Sequence, residues 1–172
     1  MDPNTFPTKG NLILAKNSLA LARQGYELMD KKRNILIREL MELIAQATDI
    51  QKEIDVTFTR AYQALQKANI QMGIHEVEVL SKAVPVENSI TIKRRSVMGT
   101  EIPKVEYEQR ELKPTYSFYG TKMSLDEACQ KFEKVKELAI RLAQIETSAY
   151  RLAYNIKKTQ KRANALQNIT IP

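Results

Sequence analysis

Apolar residues recur along the first 72 positions at alternating steps of three and four. From Leu12 the series runs through Ala15, Leu19, Ala22, Tyr26, Met29, Arg33, Leu36, Leu40, Leu43, Ala47, Ile50, Ile54, Thr57, Ala61, Ala64 and Ala68. Only Arg33 and Thr57 interrupt it. A spacing of 3.5 residues per turn keeps one stripe of a helix facing a partner, so the pattern predicts a coiled-coil helix over residues 1–72. Thr8 is the candidate N-cap and Gly73 the candidate stop. Sixty-odd residues at about 1.5 Å each make a rod of roughly 90–100 Å, longer than any compact domain of this mass, so the molecule is elongated.

A second helix is predicted over 121–172. Ser124-Leu125-Asp126-Glu127 reads as a capping box, with Met123 stapled onto Ala128. The stripe runs Leu125, Ala128, Phe132, Val135, Ala139, Leu142, Ile145, Ala149, Leu152, Ile156, Thr159, Ala163 and Leu166. The steps at 139, 142 and 145 imply a phase slip, and with it looser packing there.

Chain breakers are confined to the middle. No proline lies between Pro7 and Pro85 and no glycine between Gly25 and Gly73, and neither occurs from Thr121 to Ile171. Residues 73–120 hold Gly73, Pro85, Gly99, Pro103, Pro114 and Gly120, marking an insert between the helices. Within it, Ser89–Arg94 and Val105–Tyr107 alternate at period two around Met98-Gly99-Thr100. The pattern predicts a β-hairpin of about 89–108, with Pro103 on an edge strand. The fold class expected is therefore all-α dominated: a long antiparallel two-helix coiled coil with a small β-hairpin insert between the helices.

Antiparallel pairing adds a constraint. If the helices close at 72 and 124, facing positions sum to about 196, and Leu166 lies opposite about residue 30. Leu12, Leu19 and Ala22 are then left as an exposed apolar stripe. Either another subunit covers them, or the natural chain continues beyond Pro172 and supplies the missing helix.

Composition narrows the function classes. Hydrophobic residues make up 43% of the 172, enough for a packed core. One Cys and one His leave no disulfide framework and no His/Cys zinc site. No apolar run reaches the roughly 18–20 residues of a membrane span, and no signal-peptide pattern opens the chain. No Gly-rich phosphate loop is present, so neither a nucleotide nor any other cofactor is expected. His75 reads as a turn or surface residue and Cys129 as a packed, inert thiol. Glu53/Asp55 and Asp126/Glu127 are too close in sequence to face each other on a helix, so no catalytic residue and no metal ligand is assigned.

The net charge of +7 is concentrated at one end. Residues 121–172 carry 10 basic and 5 acidic side chains, with no acid beyond Glu146. Arg151, Lys158 and Arg162 share a helix face, flanked by Lys157 and Lys161. That face reads first as solvated surface, next as a site for an acidic protein, and last as a nucleic-acid site, Tyr150 and Tyr154 being the only interleaved aromatics. Arg33, on the seam, either fixes register, reaches a carboxylate or snorkels its stem.

Several segments together carry a resemblance. Pro7-Thr8-Lys9-Gly10-Asn11-Leu12, with Ala22-Arg23-Gln24-Gly25-Tyr26-Glu27-Leu28-Met29-Asp30-Lys31-Lys32-Arg33, resembles the opening of the D subunit of the V-type (A/V-type) ATPases. Ser96-Val97-Met98-Gly99 with Pro103 is similar to that family's central hairpin. Arg162-Ala163-Asn164-Ala165-Leu166 and the ending Ile169-Thr170-Ile171-Pro172 are similar to its C-terminal helix, which in family members continues past the position of Pro172.

The resemblance implies a non-catalytic rotor shaft. Such a shaft is inserted into the hexamer of A and B subunits, binds the small F subunit, and rests on the subunit that couples to the membrane ring. Its rotation links ATP hydrolysis or synthesis to H⁺ or Na⁺ transport, and it parallels the gamma subunit of F-type ATP synthases. It implies a peripheral place on the cytoplasmic side of the membrane, the plasma membrane of a prokaryote. Candidate partner contacts are Arg151, Lys157, Lys158, Lys161 and Arg162 on the basic face, Leu12 and Leu19 on the unpaired stripe, and Met98 and Gly99 at the hairpin tip. The coiled coil over 45–72 and 121–145, with the hairpin beside it, is the expected contact for the F subunit. The alternative is a coiled-coil scaffold or nucleic-acid-binding rod unrelated to ion transport.

Overall fold

The computed structural model describes residues 6–108 and 115–171. Helix α1 spans Lys9–Met72, α2 Ile74–Ser81, strand β1 Ile90–Val97, β2 Thr100–Tyr107 and α3 Met123–Ala165; a π-helical turn, Leu166–Thr170, follows α3 directly. The long helices α1 and α3 pack against each other, with the two-stranded antiparallel hairpin between them in sequence.

Helix α1 has 64 residues, about 96 Å at the usual rise. Thr8 caps it from an extended backbone, its Oγ1 accepting the Asn11 N–H at 3.3 Å. At the other end Gly73 leaves the helical region at φ 91°, where its N–H still reaches the Asn69 carbonyl. A side chain there would be strained, which is why the helix can break at that point without a longer linker. The chain turns helical again at once: α2 was not among the expected elements. Its Val77 is buried against Ala68 and Leu125, with Leu80 beside it. Eight residues make barely two turns, too few to reveal a period, and the partners that fix the segment lie elsewhere in the chain.

Every buried residue of α1 (Ala22, Leu36, Ile54, Ala61, Ala64 and Ala68) falls on the three-four series. Toward α2 the seam is built of small residues, with Ala61 and Ala68 fully covered and Ala128 and Ser124 on the facing helix. Small side chains let two backbones approach, so burial there is gained by proximity instead of side-chain bulk.

Helix α3 departs from expectation in two places. The phase slip is absent, because the seam passes through buried Leu138 while Ala139 is exposed. Positions 124, 131, 138, 145, 152 and 159 then form one unbroken heptad line, and 128, 135, 142, 149, 156 and 163 the other. Leu138 buries more apolar area than Ala139 would, which decides the rotation of the helix. The capping box is also absent. The helix starts at Met123 after an extended Lys122, so Ser124 sits inside the first turn, 4% exposed and facing α1. Its hydroxyl donates to Gln71 Oε1 at 2.7 Å. Glu127 instead pairs with Lys131 at 2.7 Å, and Met123 is 87% exposed, so no staple forms on Ala128.

The antiparallel register is close to the expected one. Ser124 meets Gln71, Tyr62 packs edge-on against Phe132, and Arg33 Nη1 donates to Gln160 Oε1 at 2.8 Å. These pairs sum to 195, 194 and 193. Leu166 therefore lies against Gly25, not residue 30, and Ala22 is buried, contrary to its expected exposure. Leu19 is half-buried and Leu12 exposed. Arg33 does reach a carboxylate, pairing with Asp30 one turn back while also spanning to α3.

The hairpin register runs without a bulge from Ile90 opposite Tyr107 to Val97 opposite Thr100. Its turn has two residues, Met98 (φ 49°) and Gly99 (φ 76°), with Thr100 already in β2. Two positive φ values define the type I′ geometry that matches strand twist. Glycine takes this conformation freely, whereas Met98 holds it against a steric penalty.

Candidate partner-docking surfaces

The hairpin lies alongside the coiled coil, held by one apolar contact and several polar ones. Val97 and Ile102 pack on Leu36 of α1 and Leu152 of α3, with Leu40, Leu43 and Ile156 around them. Leu36 and Leu152 are wholly buried, and this cluster joins both helices and both strands. At the tip, a side chain built on Gly99 would lie 3.9 Å from Lys32 Nζ, so the turn abuts α1. Strand β2 faces α3. The Val105 N–H donates to Gln144 Oε1 at 2.9 Å, and Arg151 Nη1 donates to the Glu101 carbonyl at 3.2 Å.

The base of the hairpin is fastened by charge. Lys136 Nζ lies 2.7 Å from Glu87 and 2.6 Å from Glu133, and 5.5 Å from the centre of the Tyr107 ring. Tyr107 donates its hydroxyl proton to Glu133 at 2.6 Å. The Lys136 hydrogen bond, reinforced by the hydroxyl and amide of Ser89, pulls the Glu87 carboxyl down to about 2. Burial disfavours the charge on Lys136, but the hydrogen bonds to Glu133 and Glu87 outweigh it and raise its pKa. Burial, then the bond to Glu133, raises that of Tyr107. The cluster ties the linker before β1 and the end of β2 to a single point on α3.

Among the described residues no group of three or more His, Cys, Asp or Glu side chains converges as a metal site. His75 is exposed on α2. Cys129 is half-buried beside the α2–α3 apolar cluster, its sulfur 3.8 Å from the Tyr116 hydroxyl oxygen. Tyr116 donates its one proton to Asp126 at 2.6 Å, and burial, followed by these two neighbours, raises its pKa. Among the described residues no helix is long and apolar enough to cross a membrane.

The candidate contact residues fall into three separate regions. Lys157, Lys158, Lys161 and Arg162 are exposed on α3 beyond the hairpin. Arg151 is exposed but holds the Glu101 carbonyl, so it belongs partly to hairpin docking. Leu12 and Leu19 lie near the α1 N-terminus, and Met98 and Gly99 are exposed at the tip. The structure brings none of these regions together into one site.

Two apolar surfaces escaped the sequence reading. Leu14, Leu21 and Leu28, each at least 65% exposed, and Ile35 repeat every seven residues along α1, away from the seam. That spacing was visible, but the stronger seam beside it hid it. At the opposite end Ile70, Ile74, Val79, Val84, Val86, Phe118 and Tyr119 are exposed around α2. Close by, Leu65, Val77, Leu80 and Phe132 line a groove of about 800 Å³. Solvent-facing apolar residues grouped in this way mark surfaces made for other proteins.

A long rod with apolar patches at both ends and no catalytic constellation among its described residues matches one family by sequence. The family model for the ATP synthase D subunit matches residues 11–172. The V-type ATP synthase D subunit of Thermotoga neapolitana is 46% identical over 166 residues, covering 96% of this chain and 82% of that protein. The A-type ATP synthase D subunits of Pyrococcus furiosus and Pyrococcus abyssi are 34% and 35% identical over 169 residues, covering 96% of this chain and 79% of each relative. The chain belongs to the family of D subunits of the V/A-type ATP synthases, as a non-catalytic member of that complex.

Proposed function

We propose that this chain is the central-stalk rotor of its ATP synthase, coupling the catalytic hexamer of A and B subunits to ion movement through the membrane ring. The observation that carries this reading is the heptad line Leu14, Leu21, Leu28 and Ile35. It faces solvent on the side of α1 turned away from the seam with α3, where a surrounding sleeve of subunits would cover it. Leu12 and Leu19, on the seam face of the same stretch, offer it a second contact. The exposed basic residues Lys157, Lys158, Lys161 and Arg162, with Arg151 below them, turn against acidic groups of the sleeve.

The apolar end around α2 rests on the subunit that couples to the ring. The F subunit binds the coiled coil over roughly 45–72 and 121–145, on the faces the hairpin leaves open, and Met98 and Gly99 present the hairpin tip. Torque demands that bending and slippage of the shaft be resisted. The unbroken heptads of α3, the Arg33–Gln160 bridge and the Leu36–Leu152 contact supply that resistance.

Reconstitution tests the assignment. Mixed with purified A, B and F subunits, the chain enters the hexamer as a single copy and changes ATP turnover. Leu21→Glu with Leu28→Glu abolishes entry while leaving the complex with F intact. Free assembly of the doubly substituted chain into the hexamer would overturn the placement of this end.

A further inference from the structure

The two edges of the hairpin are not equivalent. When a two-residue turn closes an antiparallel pair, the flanking residues exchange hydrogen bonds and every second pair thereafter does the same. Val97/Thr100, Arg95/Ile102, Lys93/Lys104 and Thr91/Glu106 therefore point their N–H and C=O groups inward. Ile90, Ile92, Arg94 and Ser96 of β1 point theirs outward, as do Glu101, Pro103, Val105 and Tyr107 of β2.

The β2 edge is used: Val105 N–H reaches Gln144, the Glu101 carbonyl takes Arg151, and Pro103 has no N–H to satisfy. The β1 edge is not. Among the described residues nothing pairs with its outward N–H and C=O groups, and the strand is exposed from Ile90 to Ser96, Ile92 by 67%. It carries no proline and no bulge, two of the usual devices that blunt an edge.

We propose that the β1 edge is a docking site for an extended acidic segment of another protein, which adds to the hairpin as a third strand. Charge selects the occupant. Lys93, Arg94 and Arg95 are consecutive; Lys93 is engaged by Glu106 at 2.6 Å and Arg94 loosely by Glu101 at 3.5 Å, while Arg95 has no acidic partner among the described residues. Antiparallel pairing of β1 with a second copy of itself would set this run against its own like charges, which is unfavourable.

The pleat specifies the pattern. Thr91, Lys93 and Arg95 share one face, and Ile90 and Ile92 the other, beside Tyr107 and Val105. The complementary strand alternates acidic with aliphatic residues. The inference stands on the geometry and charge of the hairpin, so its failure would leave the rotor reading untouched.

The probe is a ten-residue peptide alternating valine with glutamate, titrated into the full chain at low salt, with its valine–lysine counterpart as control. The acidic peptide binds, slowing amide exchange at Ile90, Ile92, Arg94 and Ser96, and the lysine peptide does not. Ile92→Pro removes one outward N–H and no ladder bond, as Pro103 does naturally. It lowers affinity at least tenfold while the Lys93, Arg95 and Val97 amides remain protected. Lys93→Glu with Arg95→Glu, which leaves the backbone unchanged, inverts the preference between the two peptides. No binding of the acidic peptide, or equal binding by the charge-reversed chain, overturns the proposal. So does concentration-dependent dimerisation that protects β1 without peptide, which would assign the edge to a second copy.

Discussion

Leu152 is the residue at which α1, α3 and the hairpin meet, and truncating it tests whether they form one mechanical unit. The side chain is wholly buried against Leu36, Val97 and Ile102. Leu152→Ala removes three carbon atoms, worth about 2.4 kcal/mol of lost transfer at ~0.8 kcal/mol each. The cavity left behind raises the cost toward about 3–4 kcal/mol unless the helices close over it. Leu12→Ala, at an exposed position, costs less than about 0.5 kcal/mol and is the control.

Urea unfolding followed by circular dichroism gives the difference in stability. Amide exchange then locates it: protection is lost together at the Arg95 and Ile102 amides of the hairpin and along the middle of α3. A cost below about 1 kcal/mol, or loss of helix protection with the hairpin unaffected, would refute the packing described here.

Three further outcomes are expected. The Glu87 carboxyl, held near 2 against an ordinary 4.5, contributes stability that is complete above about pH 4.5 and lost as pH falls toward 2. Lys136, raised above its ordinary 10.5, contributes fully below that pH and fails as pH climbs past it. The Ser89 amide shift should therefore titrate with a midpoint near 2, and a midpoint at 4.5 would show that the Lys136 contact is absent in solution. At the turn, Met98→Asn should stabilise the hairpin by up to about 1 kcal/mol and Gly99→Ala destabilise it by about 1–2 kcal/mol, both read from thermal unfolding, because only backbone φ distinguishes them. Gln144→Leu strands the Val105 N–H and should cost about 1–2 kcal/mol, with exchange at that amide accelerated.

The parts of the fold that were legible in the sequence are those set by local rules repeated many times. Sixteen steps of three and four fixed the inner face of α1, so all its buried residues fell where the period put them. Period-two alternation around Met98-Gly99 likewise placed both strands. Features decided by a distant partner were not legible. Ser124 and Glu127 satisfy the capping-box pattern, yet the Gln71 amide on α1 claims the serine. Ala139 fits a helical step as well as Leu138 does, and only the facing helix distinguishes them by the area it can cover. α2 exists because Ala68 and Leu125 offer Val77 a place to bury.

The candidate docking surfaces were half legible as surface features. The basic residues of α3 and the stripe through Leu12 stand out in the chain itself. The open edge of β1 appears only once β2 is seen spending its outward groups on Gln144 and Arg151.

The rotor assignment is tested most directly by watching the chain turn. With A and B subunits fixed to a surface and F bound, a bead attached to the hairpin end reports its motion as ATP is added. A rotor turns continuously in one direction and stops when ATP is withdrawn. A bead that stays still on a hexamer actively hydrolysing ATP would contradict it.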